Sequence, residues 1–192
     1  MARPREFDIE KACEDAMNVF WEGSYEGSSL PDLLTGLKLS RGSLYKAFGS
    51  KKGLFIEALS LYDQSILQPG VALLKNPAEG NGRDRIRTFF SFALLRVEKG
   101  DRRGCLLCNA AVGAAHNDGE IGEVVKRMLS DLTAGFDAAL ADTSRFSGIA
   151  ADERSAKAAH VTMSYVGLRV LARSGAAIED LQMAVKAMID EI

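Results

Sequence analysis

Two groups of residues have types and spacings that can do chemistry. The first is basic: Lys38, Arg41, Lys46, Lys51 and Lys52 fall within fifteen residues that contain no Asp or Glu. Gly42, Ser43 and Tyr45 are interleaved with them. Small residues let a helix sink into the DNA major groove, while Arg and Lys reach guanine edges or phosphates. A tyrosine hydroxyl hydrogen-bonds phosphate, or its ring lies against a thymine methyl. A solvated helix face is the alternative, and charge by itself does not separate the two. The second group carries thiol chemistry: Cys105 and Cys108 stand three apart, with Arg102 and Arg103 just ahead of them. On a helix that spacing puts both thiols on one face. A helix start with guanidinium groups nearby favours the thiolate. Oxidation to a disulfide, attack on an electrophile, or plain burial as small hydrophobes all fit the pair.

Helices must position both groups. Ile9, Ala12, Cys13, Ala16, Met17 and Phe20 recur at spacings of three and four, the stripe of a first helix with Cys13 in its core. Periodicity and punctuation predict helices over 8–23, 29–36, 40–47, 50–75, 83–99, 105–117, 120–142, 151–174 and 177–191. Alternating β patterns are missing, so the fold class is all-α. Ser29, Ser40 and Ser50 are N-cap residues, Asp32 completes an arrangement like a capping box, and Pro69 marks an end or kink. Two short helices joined by a turn of about four residues are a helix-turn-helix pattern. In the second of them Leu44, Ala47 and Phe48 form the inward stripe, leaving Arg41, Gly42, Ser43, Tyr45 and Lys46 outward. Lys51 and Lys52 open the next helix, where the macrodipole disfavours cations by a few tenths of a kcal/mol and a phosphate is the natural ligand. The chain therefore divides into a compact, basic helix-turn-helix unit over 1–55, read as DNA-binding, and a larger helical unit over 56–192.

Several stretches resemble the DNA-binding domain of the TetR family: Arg3-Pro-Arg-Glu-Phe-Asp, Phe20-Trp21 with Tyr25, and Ser28-Ser29-Leu30. The longest is Leu39-Ser-Arg-Gly-Ser-Leu-Tyr-Lys-Ala-Phe-Gly-Ser-Lys-Lys-Gly-Leu-Phe55. The resemblance implies a homodimeric transcriptional repressor whose variable C-terminal domain binds an inducer and moves the two DNA readers apart. By position, Ser29, Tyr45 and Lys51 resemble phosphate contacts, and Arg41, Gly42, Ser43 and Lys46 the groove-facing set. Arg3 and Arg5 would form a flexible arm in the minor groove. Two positions depart from the family pattern. Lys38 stands where the family has glycine before the recognition helix, at a cost of about 1 kcal/mol if it keeps positive φ. Ser24 replaces the glycine usual before Tyr25. Further on, Arg103-Gly-Cys-Leu-Leu-Cys-Asn-Ala-Ala111 resembles the Gly-Cys-Leu segment of one branch, some members of which sense electrophiles or oxidants through cysteine. Cys105, nearer the helix start and the arginines, is the expected reactive thiol.

An inducer pocket is expected among the middle helices, from Phe89, Phe92, Leu94, Cys108, Val112, Met128, Leu132, Phe136 and Met163, with Asn109 and His116 as polar groups. The same residues also suit plain core, and a non-covalent apolar inducer with structural cysteines is the rival signal. From Ala158 to Leu171 the chain is apolar nearly all round, which asks for burial on every side. Ser164, Gly167, Leu168 and Leu171 there, with Leu181, Val185 and Met188 on the last helix, are expected at an intersubunit four-helix bundle.

The remaining features exclude classes. Net charge is −2, so any attraction to DNA is local. The basic start lacks an apolar stretch behind it and does not read as a secretory signal. No apolar run reaches the length of a membrane span. Three cysteines do not make a disulfide scaffold, and a reducing cytoplasm is the expected location. The two histidines, His116 and His160, and a single cysteine pair make no zinc set, so neither metal nor cofactor is expected. A Gly-rich phosphate loop, His-Glu-x-x-His and a nucleophile elbow are all missing, leaving a helical enzyme or a non-DNA adaptor as the rival class. Double-stranded operator DNA, a second copy of the chain and a small-molecule or electrophile inducer are the expected partners, with no membrane.

Overall fold

Short polar side chains start each helix of the N-terminal third. The computed structural model describes residues 7–192, so Arg3 and Arg5 lie outside the described residues. Asp8 accepts from the Lys11 N–H at the start of α1 (Ile9–Gly27), and Ser29 caps α2 (Leu30–Leu37) through Asp32. Ser40 caps α3 (Arg41–Phe48) and Ser50 caps α4 (Lys51–Tyr62). Each cap satisfies a backbone N–H that the first helical turn leaves open. The capping box at Ser29 is complete, with its own N–H donating to Asp32 at 2.8 Å.

The long helix expected over 50–75 bends before its proline. Its continuation is a π-helical turn at Asp63–Leu67 and then α5 (Gln68–Lys75), with Pro69 in the first turn of α5. Pro69 has no N–H to donate and its ring crowds the preceding turn, and the wide π turn absorbs both problems. After a 3-10 turn at Pro77–Glu79 come α6 (Gly82–Glu98), α7 (Leu106–Val112), α8 (Ala114–Asn117), α9 (Gly119–Ala141), α10 (Ala151–Ser174) and α11 (Ile178–Asp190). The single helix expected over 105–117 is split at Gly113. No strand occurs among the described residues, and the architecture is all-helical.

Phe20, Trp21, Leu33, Leu37, Leu44, Leu54 and Phe55 are buried and fasten α2 and α3 onto α1 and α4. Phe20 meets Phe55 edge-on at 4.8 Å. Three expectations fail at the edge of this core. Cys13 is half-buried, Ile9 is 56% exposed and Ala47 is exposed, because the small first domain fills only part of each apolar stripe. The expected boundary at residue 55 falls inside α4, which runs without a break from a first turn beside α3 to Tyr62 beside Cys105. Farther along, Phe89, Phe90, Phe136 and Tyr165 form an aromatic cluster joining α6, α9 and α10. Among the described residues no helix is long and apolar enough to cross a membrane.

Candidate DNA interface and thiol centre

On α3 the side chains of Arg41, Gly42, Tyr45 and Lys46 are exposed, and Ser43 is half-buried with its hydroxyl 2.9 Å from that of Ser40. Leu44, with no exposure, anchors the opposite face. Arg41 lies 5.6 Å over the Tyr45 ring, which holds the two side chains as a pair. The turn into α3 is closed by Lys38 at φ 53 and ψ 36, a left-handed conformation. Ser24, at φ 64, breaks α1 just before Tyr25. These are the only non-glycine residues with positive φ among the described residues, and both stand where the family pattern has glycine. Lys51 sits 4.5 Å over the Tyr25 ring, and its burial there lowers its pKa. Gly53 is required by contact: a Cβ there would fall 2.1 Å from the Phe48 carbonyl oxygen. Lys52 pairs with Glu120 at 2.7 Å and Asp118 at 3.4 Å, at the start of α9.

The second site is buried. Cys105 has no exposure and occupies the N-cap position of α7. The Tyr62 hydroxyl donates to its sulfur at 3.2 Å, and Cys108, Tyr165 and Arg169 also face it. Burial opposes ionisation of Cys105. Hydrogen bonds from the Cys108 and Tyr62 side chains, the Cys108 N–H and the Arg169 charge outweigh it, bringing the thiol to about 6. Its hydrogen bond to Cys105 pushes Cys108 up, followed by burial and the Cys105 charge, and burial does the same to Tyr62 and Tyr165. The cluster therefore favours ionisation at Cys105 over its neighbours.

The cations expected beside this thiol are elsewhere. Arg103 pairs with Asp101 at 2.9 Å and lies 4.1 Å over the Trp21 ring, and Arg102 donates to the Ala176 carbonyl at 2.9 Å. Arg169, which sequence reasoning gave no role, takes their place from α10. Its signal was a lone arginine inside the apolar run Ala158–Leu171. Arg169 also donates to the carbonyls of Ala93 and Gly104. The Gly104 carbonyl accepts a second bond from the Trp21 indole N–H at 3.2 Å, tying the residue before the thiol to α1. Arg173 adds to the tie, donating to the carbonyls of Trp21 and Glu22, each at 3.1 Å.

Comparison with known proteins agrees with this layout. Residues 13–58 match the family model of bacterial regulatory proteins, tetR family. Over 186 residues the chain is 30% identical to the HTH-type transcriptional regulator YezE of Bacillus subtilis, covering 95% of this chain and 94% of that one. The chain belongs to the TetR family. It is 28% identical over 124 residues to the HTH-type transcriptional repressor ComR of Escherichia coli, 65% of this chain and 59% of ComR. Among solved structures it resembles a cysteine mutant of the TetR family regulator CifR bound to 26 bp double-strand operator DNA. The TM-score is 0.85 at 27% identity, over 98% of both chains. The protein is thus a transcriptional regulator with a helix-turn-helix.

Within this TetR-family regulator the expected pocket residues scatter. A cavity of about 370 Å³ opens between α4, α5, α6 and α10, and of the expected set only Phe89 and Phe92 line it. Cys108, Met128, Leu132 and Phe136 are core, since they fill the seams between helices. Val112 and Met163 are 75% and 67% exposed. Asn109 donates to the Arg103 carbonyl at 3.1 Å, and His116 is exposed on α8. The expected dimer residues divide likewise. Leu168, Leu181 and Met188 are buried inside their own chain, because each helix turns one face inward. Ser164, Gly167 and Val185 are half-buried and Leu171 is 50% exposed, beside exposed Met163, Val170 and Met183.

Proposed function

We propose that this chain is a repressor that grips operator DNA as a homodimer and releases it when Cys105 reacts with a thiol-reactive small molecule. The observation that carries the release half is the buried Cys105 sulfur, which accepts from the Tyr62 hydroxyl at 3.2 Å and whose ionisation Cys108, Tyr62 and Arg169 favour. Addition of the thiolate to an activated C=C forms an S–C bond as the π bond breaks, the adjacent carbon takes a proton from water, and the thiolate becomes a neutral, larger thioether. A fully buried site has no room for that adduct without moving Tyr62 or the Gly104–Cys105 backbone. Both touch Trp21, through a 4.9 Å edge-on ring contact and the indole hydrogen bond. Movement there shifts α1, against which α2 packs, and α4, against which α3 packs.

The DNA half rests on Arg41, Gly42, Ser43 and Lys46 on α3 for the groove, with Ser29, Tyr45, Lys51 and Lys52 toward phosphate. Likeness to ComR, a repressor, and to CifR, a cysteine mutant of which binds operator DNA, supports the reading. The dimer rests on the apolar faces that α10 and α11 leave open at Met163, Val170, Leu171 and Met183. The division into a DNA-binding domain over 1–55 and a sensing and dimerising domain over 56–192 follows, with α4 shared by both. The test is operator binding by Tyr45→Ala and Cys105→Ser proteins with and without N-ethylmaleimide. Tyr45→Ala should not bind. Cys105→Ser should bind and ignore the reagent. Release of Cys105→Ser by the reagent would refute the thiol as sensor.

A further inference from the structure

The cavity beside the thiol cluster has an unbalanced charge. Its walls are apolar at Leu67, Pro69, Phe89 and Phe92, yet Arg96, Lys99 and Arg169 also line it and no acidic residue does. Arg96 has Asp101 at 3.5 Å outside the lining. Arg169 is 3% exposed, and its buried Nε has no hydrogen-bond partner. A buried guanidinium with a free donor is costly unless an anion meets it. The groups facing Arg169 are Tyr62 from α4, Cys105 and Cys108 from the α7 end, and Tyr165 from its own helix. Of these only Cys105 supplies negative charge at neutral pH. The volume, about 370 Å³, suits a small organic molecule.

We propose that this cavity binds a small amphipathic anion, an apolar body bearing a carboxylate, whose charge competes with the Cys105 thiolate for Arg169. The proposal rests on Cys105 as the reactive thiol for its regulatory half, while the binding half stands on the cavity alone. Because linkage is reciprocal, an anion that disfavours the thiolate is itself disfavoured by the thiolate to the same extent. Occupancy therefore shields the regulator from electrophiles, and loss of the thiolate strengthens anion binding.

Decanoate is a suitable probe, with decanol and decylamine as neutral and cationic counterparts. Calorimetry on the reduced full chain should give decanoate at least tenfold tighter binding than either. Lys99→Gln should weaken decanoate several-fold and leave decanol unchanged, and Cys105→Ser should tighten decanoate several-fold. Iodoacetamide alkylation of Cys105, followed by mass spectrometry across pH, should have its midpoint moved upward by decanoate; a merely steric block would lower the plateau instead. Equal binding of decanol and decanoate, or indifference to Lys99→Gln, would overturn the anion site. An unmoved midpoint under saturating decanoate would overturn the competition. Should Cys105 resist alkylation altogether, the sensor reading fails, and calorimetry still decides the anion site.

Discussion

Cys105 and Arg169 face one another beside Tyr62 and Tyr165, and the chemistry of each depends on the other. With its thiol lowered to about 6, Cys105 loses its thiolate, and with it its reactivity, as pH falls through that range. The alkylation rate should climb through pH 6 and level off by about pH 7. Tyr62→Phe removes the 3.2 Å hydrogen bond and should move that midpoint upward, slowing reaction at pH 6.5. A profile unchanged by Tyr62→Phe would mean that the hydroxyl does not hold the thiolate. Lys38 and Ser24 are a second residue-scale case. Each keeps positive φ without being glycine, so Lys38→Gly should stabilise the protein by about 1 kcal/mol in urea denaturation, and Ser24→Gly similarly. A lower midpoint for Lys38→Gly would show that its side chain contributes more than its backbone costs.

At the scale of elements, α3 is held from below by Leu44 and from behind by the Gly53 contact with Phe48. Gly53→Ala should lower thermal stability sharply, because the atom a Cβ meets is backbone that cannot swing away. On the outer face, Lys46→Ala should relax operator preference at one base position, the signature of a groove contact. If the loss were instead uniform across sequences, with a salt slope lower by about one, Lys46 would be a phosphate contact. The sequence made these elements legible because caps and apolar spacing are local: Ser29, Ser40 and Ser50 all cap where expected. What was not legible came from distant segments meeting. Tyr62, Tyr165 and Arg169 reach Cys105 from α4 and α10, and no spacing along the chain announces that. The ion pairs of Lys52 were hidden for the same reason, since Asp118 and Glu120 are far off in sequence. Pocket residues were chosen by apolar periodicity, which marks core as readily as cavity, so only Phe89 and Phe92 reached the lining.

For the whole molecule, the account requires that two readers be held by one dimer and that one sulfur controls both. Leu171→Glu on the open face of α10 should convert the dimer to monomer in sedimentation and abolish tight operator binding while leaving helicity intact. A dimer that survives this change would place the interface elsewhere. Trp21→Phe keeps the ring contact with Tyr62 but removes the bond to Gly104. It should bind operator yet respond weakly to alkylation. The measurement that tests the central claim most directly is fluorescence anisotropy on the DNA upstream of its own coding sequence, comparing reduced and N-ethylmaleimide-treated wild type with treated Cys105→Ser. The account expects tight binding by the reduced protein, loss on treatment, and full binding by treated Cys105→Ser. Equal binding by treated and untreated wild type, with Cys105 shown by mass spectrometry to be modified, would contradict it.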